Sequence, residues 1–252
     1  GTCGVAEDRL VYCWGPYADA GNHPDDSTPL SGPTNVISLE MPNMARQGGI
    51  SANACAVTKD GAVWCWGNRL ARHPEWGPDY AGQLGPVGGR AVPVRVPGID
   101  DAIDVALLGE DAVCVLRSPG RTITCFGRMD VLGHVLPAGE VEEVTMDAPG
   151  ALTAIASGRN LCGWNQLTGT AYCRGNLPST LPSGQRPGKS QFYKLEAPIG
   201  PVKKVWSPFL NAGTCALSTL GRVACWSSTS DYQRPFMPAS DVDIFAERSV
   251  VD

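Results

Sequence analysis

Ten cysteines arranged as five close pairs constrain this 252-residue chain more than any other feature. They fall at Cys3 and Cys13, Cys55 and Cys65, Cys114 and Cys125, Cys162 and Cys173, and Cys215 and Cys225, always ten or eleven positions apart. The first members recur at steps of 52, 59, 48 and 53 residues, so a unit of about 50 residues is present five times. Self-similarity at such a period marks propellers and solenoids, whose units bury their apolar faces only against one another.

Between the cysteines each unit has the grammar of a β-hairpin. In Cys55-Ala-Val-Thr-Lys-Asp-Gly-Ala-Val-Trp-Cys65, apolar strands flank the three-residue turn Lys59-Asp60-Gly61, with Gly free to take the left-handed position. Pairing Thr58 with Ala62 sets Cys55 opposite Cys65, and facing residues of antiparallel strands are close enough for a disulfide. Thr219-Leu220-Gly221 and Glu7-Asp8-Arg9 repeat this turn. Where the spacing grows by one, the turn is expected at Pro119-Gly120, in the order of a type II turn, and at Leu167-Thr168. Each of the five pairs is therefore expected to close a rung across its own hairpin.

Buried free thiols or a metal site are the competing readings. Zinc ligands arrive as Cys-x-x-Cys knuckles, which are absent here, and His23, His73 and His134 lie in three different loops. Neither a metal nor a cofactor is expected. Paired cysteines on this scale imply an oxidising compartment: secreted, extracellular or cell-surface, or else periplasmic. No Asn-x-Ser/Thr sequence is present, so ordinary N-glycosylation is not expected.

Composition removes other classes. The 30 Gly and 21 Pro with only 18% charged residues favour turns over long helices. Twenty basic against 25 acidic side chains, net −5, leave no basic footprint for nucleic acid. No apolar run approaches the roughly 20 residues needed to cross a bilayer. Gly1-Thr2-Cys3 has neither the basic start nor the apolar run of a signal peptide, so the chain reads as a soluble, processed module.

The residues after each second cysteine extend the repeat: Cys13-Trp14-Gly15, Cys65-Trp66-Gly67, Cys125-Phe126-Gly127, Cys173-Arg174-Gly175 and Cys225-Trp226-Ser227. With Gly82-Gln83-Leu84-Gly85, Pro93-Val-Arg-Val-Pro97 and Ile103-Asp104-Val105-Ala106, the second unit resembles the repeat of the regulator of chromosome condensation family. The first, third and fifth units are recognisable, and the fourth keeps little beyond its cysteines and one Gly. The paired cysteines are similar to extracellular variants, such as crinkly-type plant receptor ectodomains and secreted bacterial propellers, and the secreted propeller inhibitor of β-lactamases is a relative by fold. The resemblance implies an all-β propeller. Family members carry seven repeats, whereas this chain has five.

The expected architecture is one domain over 1–252, a five-bladed β-propeller with repeats at about 1–44, 45–103, 104–152, 153–203 and 204–240. In the third unit an inner strand near Ile103–Leu108 is followed by Ala112–Leu116, Thr122–Phe126 and an outer strand near Val141–Met146. The chain starts on a second strand, Thr2–Ala6. Its end, 241–252, has the apolar spacing of the inner strand missing there, so 241–248 is expected to close the ring and remove exposed sheet edges.

Fold alone decides no function. The long connections Pro16–Thr34, Asn68–Ala91, Arg128–Glu140, Asn176–Gln191 and Ser227–Met237 share one face and carry Tyr17, Trp76, Tyr80 and Tyr232, with Phe192 and Tyr193 at one edge. Such rings anchor partners with little entropic loss; in the bland alternative they pack within their own loops. Nearer the axis lie Ser51, Asn53, Glu110, Asp111, Arg159, Asn160, Asn211, Glu247 and Arg248, which either hold a ligand or simply line a wet channel. Glu110 and Asp111 are adjacent and do not face each other as glycosidase carboxylates must, and no nucleophile motif or His-centred triad occurs. The expected function is a non-enzymatic secreted or cell-surface module that recognises a protein partner or larger extracellular assembly through the long-loop face. A carbohydrate-binding propeller, with glycan as ligand, is the alternative, and a hydrolase at the central channel is third. The nuclear exchange activity of the family's founding member is not expected in a disulfide-rich chain of this charge.

Overall fold

The computed structural model describes residues 2–14, 28–41, 45–46, 49–50, 54–66, 93–108, 112–127, 142–156, 158, 160–175, 191–195, 200–206 and 213–227. These residues form antiparallel sheets without a helix. The first sheet pairs β1 (Thr2–Val5) with β2 (Val11–Trp14). The second is built from β3 (Val36–Glu40), then, beyond a small ribbon of β4 (Ala45–Arg46) and β5 (Gly49–Ile50), from β6 (Ala54–Thr58), β7 (Val63–Trp66) and β8 (Val94–Arg95). The third runs β9 (Ala102–Leu108), β10 (Ala112–Arg117), β11 (Thr122–Gly127) and β12 (Glu142–Asp147). The fourth runs β13 (Ala154–Ala156), β14 (Asn160–Asn165), β15 (Thr170–Gly175) and β16 (Tyr193–Lys194). The fifth runs β17 (Val202–Trp206), β18 (Gly213–Ser218) and β19 (Val223–Ser227). The second to fifth sheets stand as propeller blades, and in the third all four strands fall within a residue or two of their expected places.

Sheet boundaries are offset from the cysteine-based repeats. β3 lies within the 1–44 repeat yet pairs with β6 of the next, Glu40 facing Cys55. The first unit thus hands its last strand to its neighbour, whereas the fourth sheet, β13 to β16, lies wholly within the 153–203 repeat. Segment 241–252, expected as the closing strand, lies outside the described residues.

The hairpin registers follow the cysteines. Cys3, Cys55, Cys114 and Cys162 face and are bonded to Cys13, Cys65, Cys125 and Cys173, with Cα atoms 4.0 to 4.1 Å apart. Cys215 is also disulfide-bonded and stands opposite Cys225 in the ladder. The three-residue turns form as expected, with Thr58 N–H on the Ala62 carbonyl and Ser218 N–H on that of Arg222. Gly61 sits at φ 82° and the non-glycine Arg9 takes the same role at φ 60°. The third turn differs from the expected type II geometry. Its Gly120 N–H reaches the Arg117 carbonyl across a cis Ser118–Pro119 peptide, and the ladder resumes at Thr122. Around Leu167-Thr168 the turn is held by Asn165 Oδ1, which accepts the N–H groups of both residues.

Apolar layers lie between consecutive sheets. Val11 meets Val36, Ala56 and Trp66; Val57 and Val63 meet Val105, Val115 and Phe126; Leu108, Leu116 and Ile123 meet Leu152 and Leu161; Trp164 and Ala171 meet Val202, Val205 and Ala216. Strands covered on both faces lose the polar and apolar alternation of a one-sided sheet, which is why β6 and β10 are buried almost throughout.

Candidate functional site

Strand reversal gives each blade two unlike ends. The hairpin turns at 59–61, 118–121, 166–169 and 219–221 share one end. Connections from inner to second strand and from third to outer strand share the other, called here the loop end.

The turn end is tied from sheet to sheet by backbone bonds. The carbonyl of the positive-φ turn residue accepts the N–H that opens the next inner strand: Arg9 from Val36, Gly61 from Ala102, Gly120 from Leu152 and Gly169 from Val202. The approach is so close that a Cβ on Gly61 would run into the backbone of Asp100 and Asp101. Leu167 and Leu220 project from this end, 91% and 67% exposed.

At the loop end, the described side chains are used internally. Asn160, a candidate ligand residue, is fully buried, and its Nδ2 donates to Thr214 Oγ1 at 3.1 Å, linking fourth and fifth sheets. Gly158 N–H bonds the Leu107 carbonyl, joining the ends of two inner connections. Phe192 is half-buried against the layer of Ile155 and Leu161, while Tyr193 lies on β16 with its hydroxyl 3.3 Å from Gln191 Oε1. Trp76, Tyr80, Tyr17, Tyr232, Glu110, Asp111, Arg159, Asn211, Ser51, Asn53, Glu247 and Arg248 lie outside the described residues, as does most of each long connection.

Two charged groups that sequence reasoning passed over sit between sheets. Asp104 on β9 accepts Ser38 Oγ at 2.5 Å and its neighbour Val105 N–H at 3.0 Å on Oδ1, and Ile155 N–H at 2.8 Å on Oδ2. It therefore joins the second, third and fourth sheets at their innermost strands. Burial pushes its carboxyl above the usual range, and the bonds from Ser38, Ile155 and Val105 pull the other way without cancelling the rise. Arg174, where other units place Trp or Phe, is 6% exposed with Nη1 donating to Met146 Sδ at 3.1 Å. Burial lowers its pKa. The signals were an acid inside an apolar strand and a cation at an aromatic position. Among the described residues, Trp164 Nε1 is a buried donor without a hydrogen-bond partner, no three metal-ligating side chains converge, and no helix is long and apolar enough to cross a membrane.

No protein-family model and no curated protein matches the sequence. Solved structures do. Prp20p from Saccharomyces cerevisiae aligns over 97% of this chain and 57% of its own, at 16% identity and a TM-score of 0.50. Human WBSCR16 aligns over 76% of this chain and 47% of its own, at 18% identity and TM-score 0.49. Yeast RCC1 (Prp20) bound to Kap60 aligns over 69% and 41%, at 16% identity and TM-score 0.44. The chain thus spans about half the length of these structures. At such identity the likeness to Prp20p speaks for the fold alone, an RCC1-like β-propeller.

Proposed function

We propose that this chain is a secreted or cell-surface recognition propeller, non-enzymatic, that binds a protein partner or extracellular assembly through its loop end. The observation that carries this reading is the asymmetry between the two ends. Backbone bonds from the Arg9, Gly61, Gly120 and Gly169 carbonyls tie the hairpin-turn end from sheet to sheet, whereas connections of unequal length and aromatic content leave from the other end, just beyond the disulfides that staple each hairpin there. A rigid scaffold presenting variable loops is a recurrent way to build a binding surface. Prp20p, of the same fold, has binding properties to Gsp1p and histones, which supports a protein rather than a small molecule as ligand.

In this reading Trp76 and Tyr80 are the leading anchors, with Tyr17, Tyr232, Phe192 and Tyr193 around them. Glu110, Asp111, Arg159 and Asn211 lie nearer the axis, and Asn160 serves as a buried tie. Five blades form one closed ring, with disulfides formed in an oxidising compartment. Immobilised protein should capture a defined protein from the extracellular fraction of its source, and a glycan array should stay blank. Specific glycan binding without protein capture would replace this reading with a lectin.

A further inference from the structure

Two leucines at the tips of neighbouring hairpins depart from the chemistry of the other turns. The turns of the first and second sheets carry exposed Glu7-Asp8 and Lys59-Asp60, with exposed Asp100 packed beside the second. In the fourth and fifth sheets the tips are Leu167 and Leu220, 91% and 67% exposed. The segment between them joins the two turns. Val202 N–H bonds the Gly169 carbonyl, Thr219 N–H bonds the Pro201 carbonyl, and a Cβ on Gly200 would lie 3.5 Å from Leu220 Cδ1. Gly200 and Pro201 are themselves exposed, so a strip poor in charge runs from Leu167 through Pro201 to Leu220.

Two further observations define what this strip meets. The first is charge. Among the described residues from 152 to 227 there is no Asp or Glu, while Lys203 and Lys204 are exposed just beyond Pro201-Val202 and Arg222 is exposed directly after the fifth turn. The second is the state of the backbone. Asn165 Oδ1 accepts the N–H groups of Leu167 and Thr168, and the Asn165 carbonyl accepts that of Gly169. Ser218 Oγ accepts those of Leu220 and Arg222, and the Ser218 carbonyl accepts that of Gly221. Tips whose N–H groups are already bonded enter an apolar medium without leaving these donors unsatisfied.

We infer that the turn end of the fourth and fifth sheets is a docking surface for an anionic lipid bilayer. Leu167 and Leu220 dip into the boundary between headgroups and acyl chains, and Lys204 and Arg222 meet the lipid phosphates. Apolar area combined with attraction to anionic lipid is what binding at that boundary requires. A protein partner fits less well, because a projecting tip then needs a matching pocket and Leu is under-represented among the residues that dominate protein interfaces. The acidic turns of the first and second sheets are repelled, so the molecule tilts onto its fourth and fifth sheets. The loop end then faces away from the bilayer, and the inference does not depend on the partner proposed for that end.

Sedimentation of the full chain with vesicles tests this. The wild type should co-sediment with phosphatidylcholine vesicles containing phosphatidylglycerol and stay in solution with phosphatidylcholine alone. The double variant Leu167→Ser, Leu220→Ser should keep its melting temperature and bind the mixed vesicles at least about tenfold more weakly. Lys204→Gln and Arg222→Gln should each weaken binding about fivefold, and Lys59→Gln, on the second turn, should bind as the wild type does. Absence of binding to the mixed vesicles overturns the proposal, as does undiminished binding by the double-leucine variant or an equal loss in Lys59→Gln. Loss of a captured protein by the double-leucine variant, with no protein on the vesicles, would overturn it in favour of a protein-binding surface.

Discussion

The Ser38 hydroxyl donates to Asp104 Oδ1 across the boundary between two sheets, from one innermost strand to the next. Because Oδ2 takes Ile155 N–H from the sheet beyond, one carboxylate ties three sheets, so its state is linked to the stability of the array. Its folded pKa lies above the value of about 3.9 expected when unfolded. Between those values the folded state binds more protons, so this group favours folding in acid, and that contribution is lost as pH rises through the folded pKa. In Asp104→Asn the amide that replaces Oδ2 would meet Ile155 N–H donor to donor, at a cost of about 1 to 3 kcal/mol. Urea midpoints from pH 4 to 7 should show a deficit for the variant that shrinks as pH rises. A deficit independent of pH would detach the carboxyl from stability.

Each hairpin disulfide closes a loop of about ten residues and should contribute roughly 2 to 3 kcal/mol through the unfolded chain. Non-reducing peptide mapping should find five linkages within units, Cys215 to Cys225 among them. Replacing Cys114 and Cys125 by Ala should lower stability by that amount. A linkage between units would break the scheme.

Leu161 is fully buried in the layer between third and fourth sheets. Leu161→Ala should cost about 2 to 5 kcal/mol by leaving a cavity. Leu167→Ala, at a side chain 91% exposed, should change stability by no more than about 0.5 kcal/mol. Denaturant midpoints of the two variants measure the contrast, and equal losses would contradict the layered core.

The parts of this fold legible in sequence are those written locally. Cysteine spacing fixes a hairpin register because opposite residues must meet, and it does so even where the Pro119 turn has another geometry than its Pro-Gly order implies. Contacts between sheets are less legible. Asp104 finds Ser38 and Ile155 at separations of 66 and 51 residues, and no pattern within β9 names either partner. The carbonyl ties of Gly61 and Gly169 are backbone features that any residue opening the next strand can satisfy, so they leave no side-chain signature. Asn160, legible as a polar group near the axis, is instead consumed by Thr214.

Binding through the loop end is tested most directly by the dissociation constant of the captured partner for the wild type, the Trp76→Ala, Tyr80→Ala double variant and Lys59→Ala. An aromatic anchor contributes about 2 kcal/mol or more, so the double variant should bind at least about 30-fold more weakly while keeping its melting temperature. Lys59→Ala, on the turn end, should bind as the wild type does. Unchanged affinity in a stably folded double variant, with binding lost on substituting the turn end, would contradict the account.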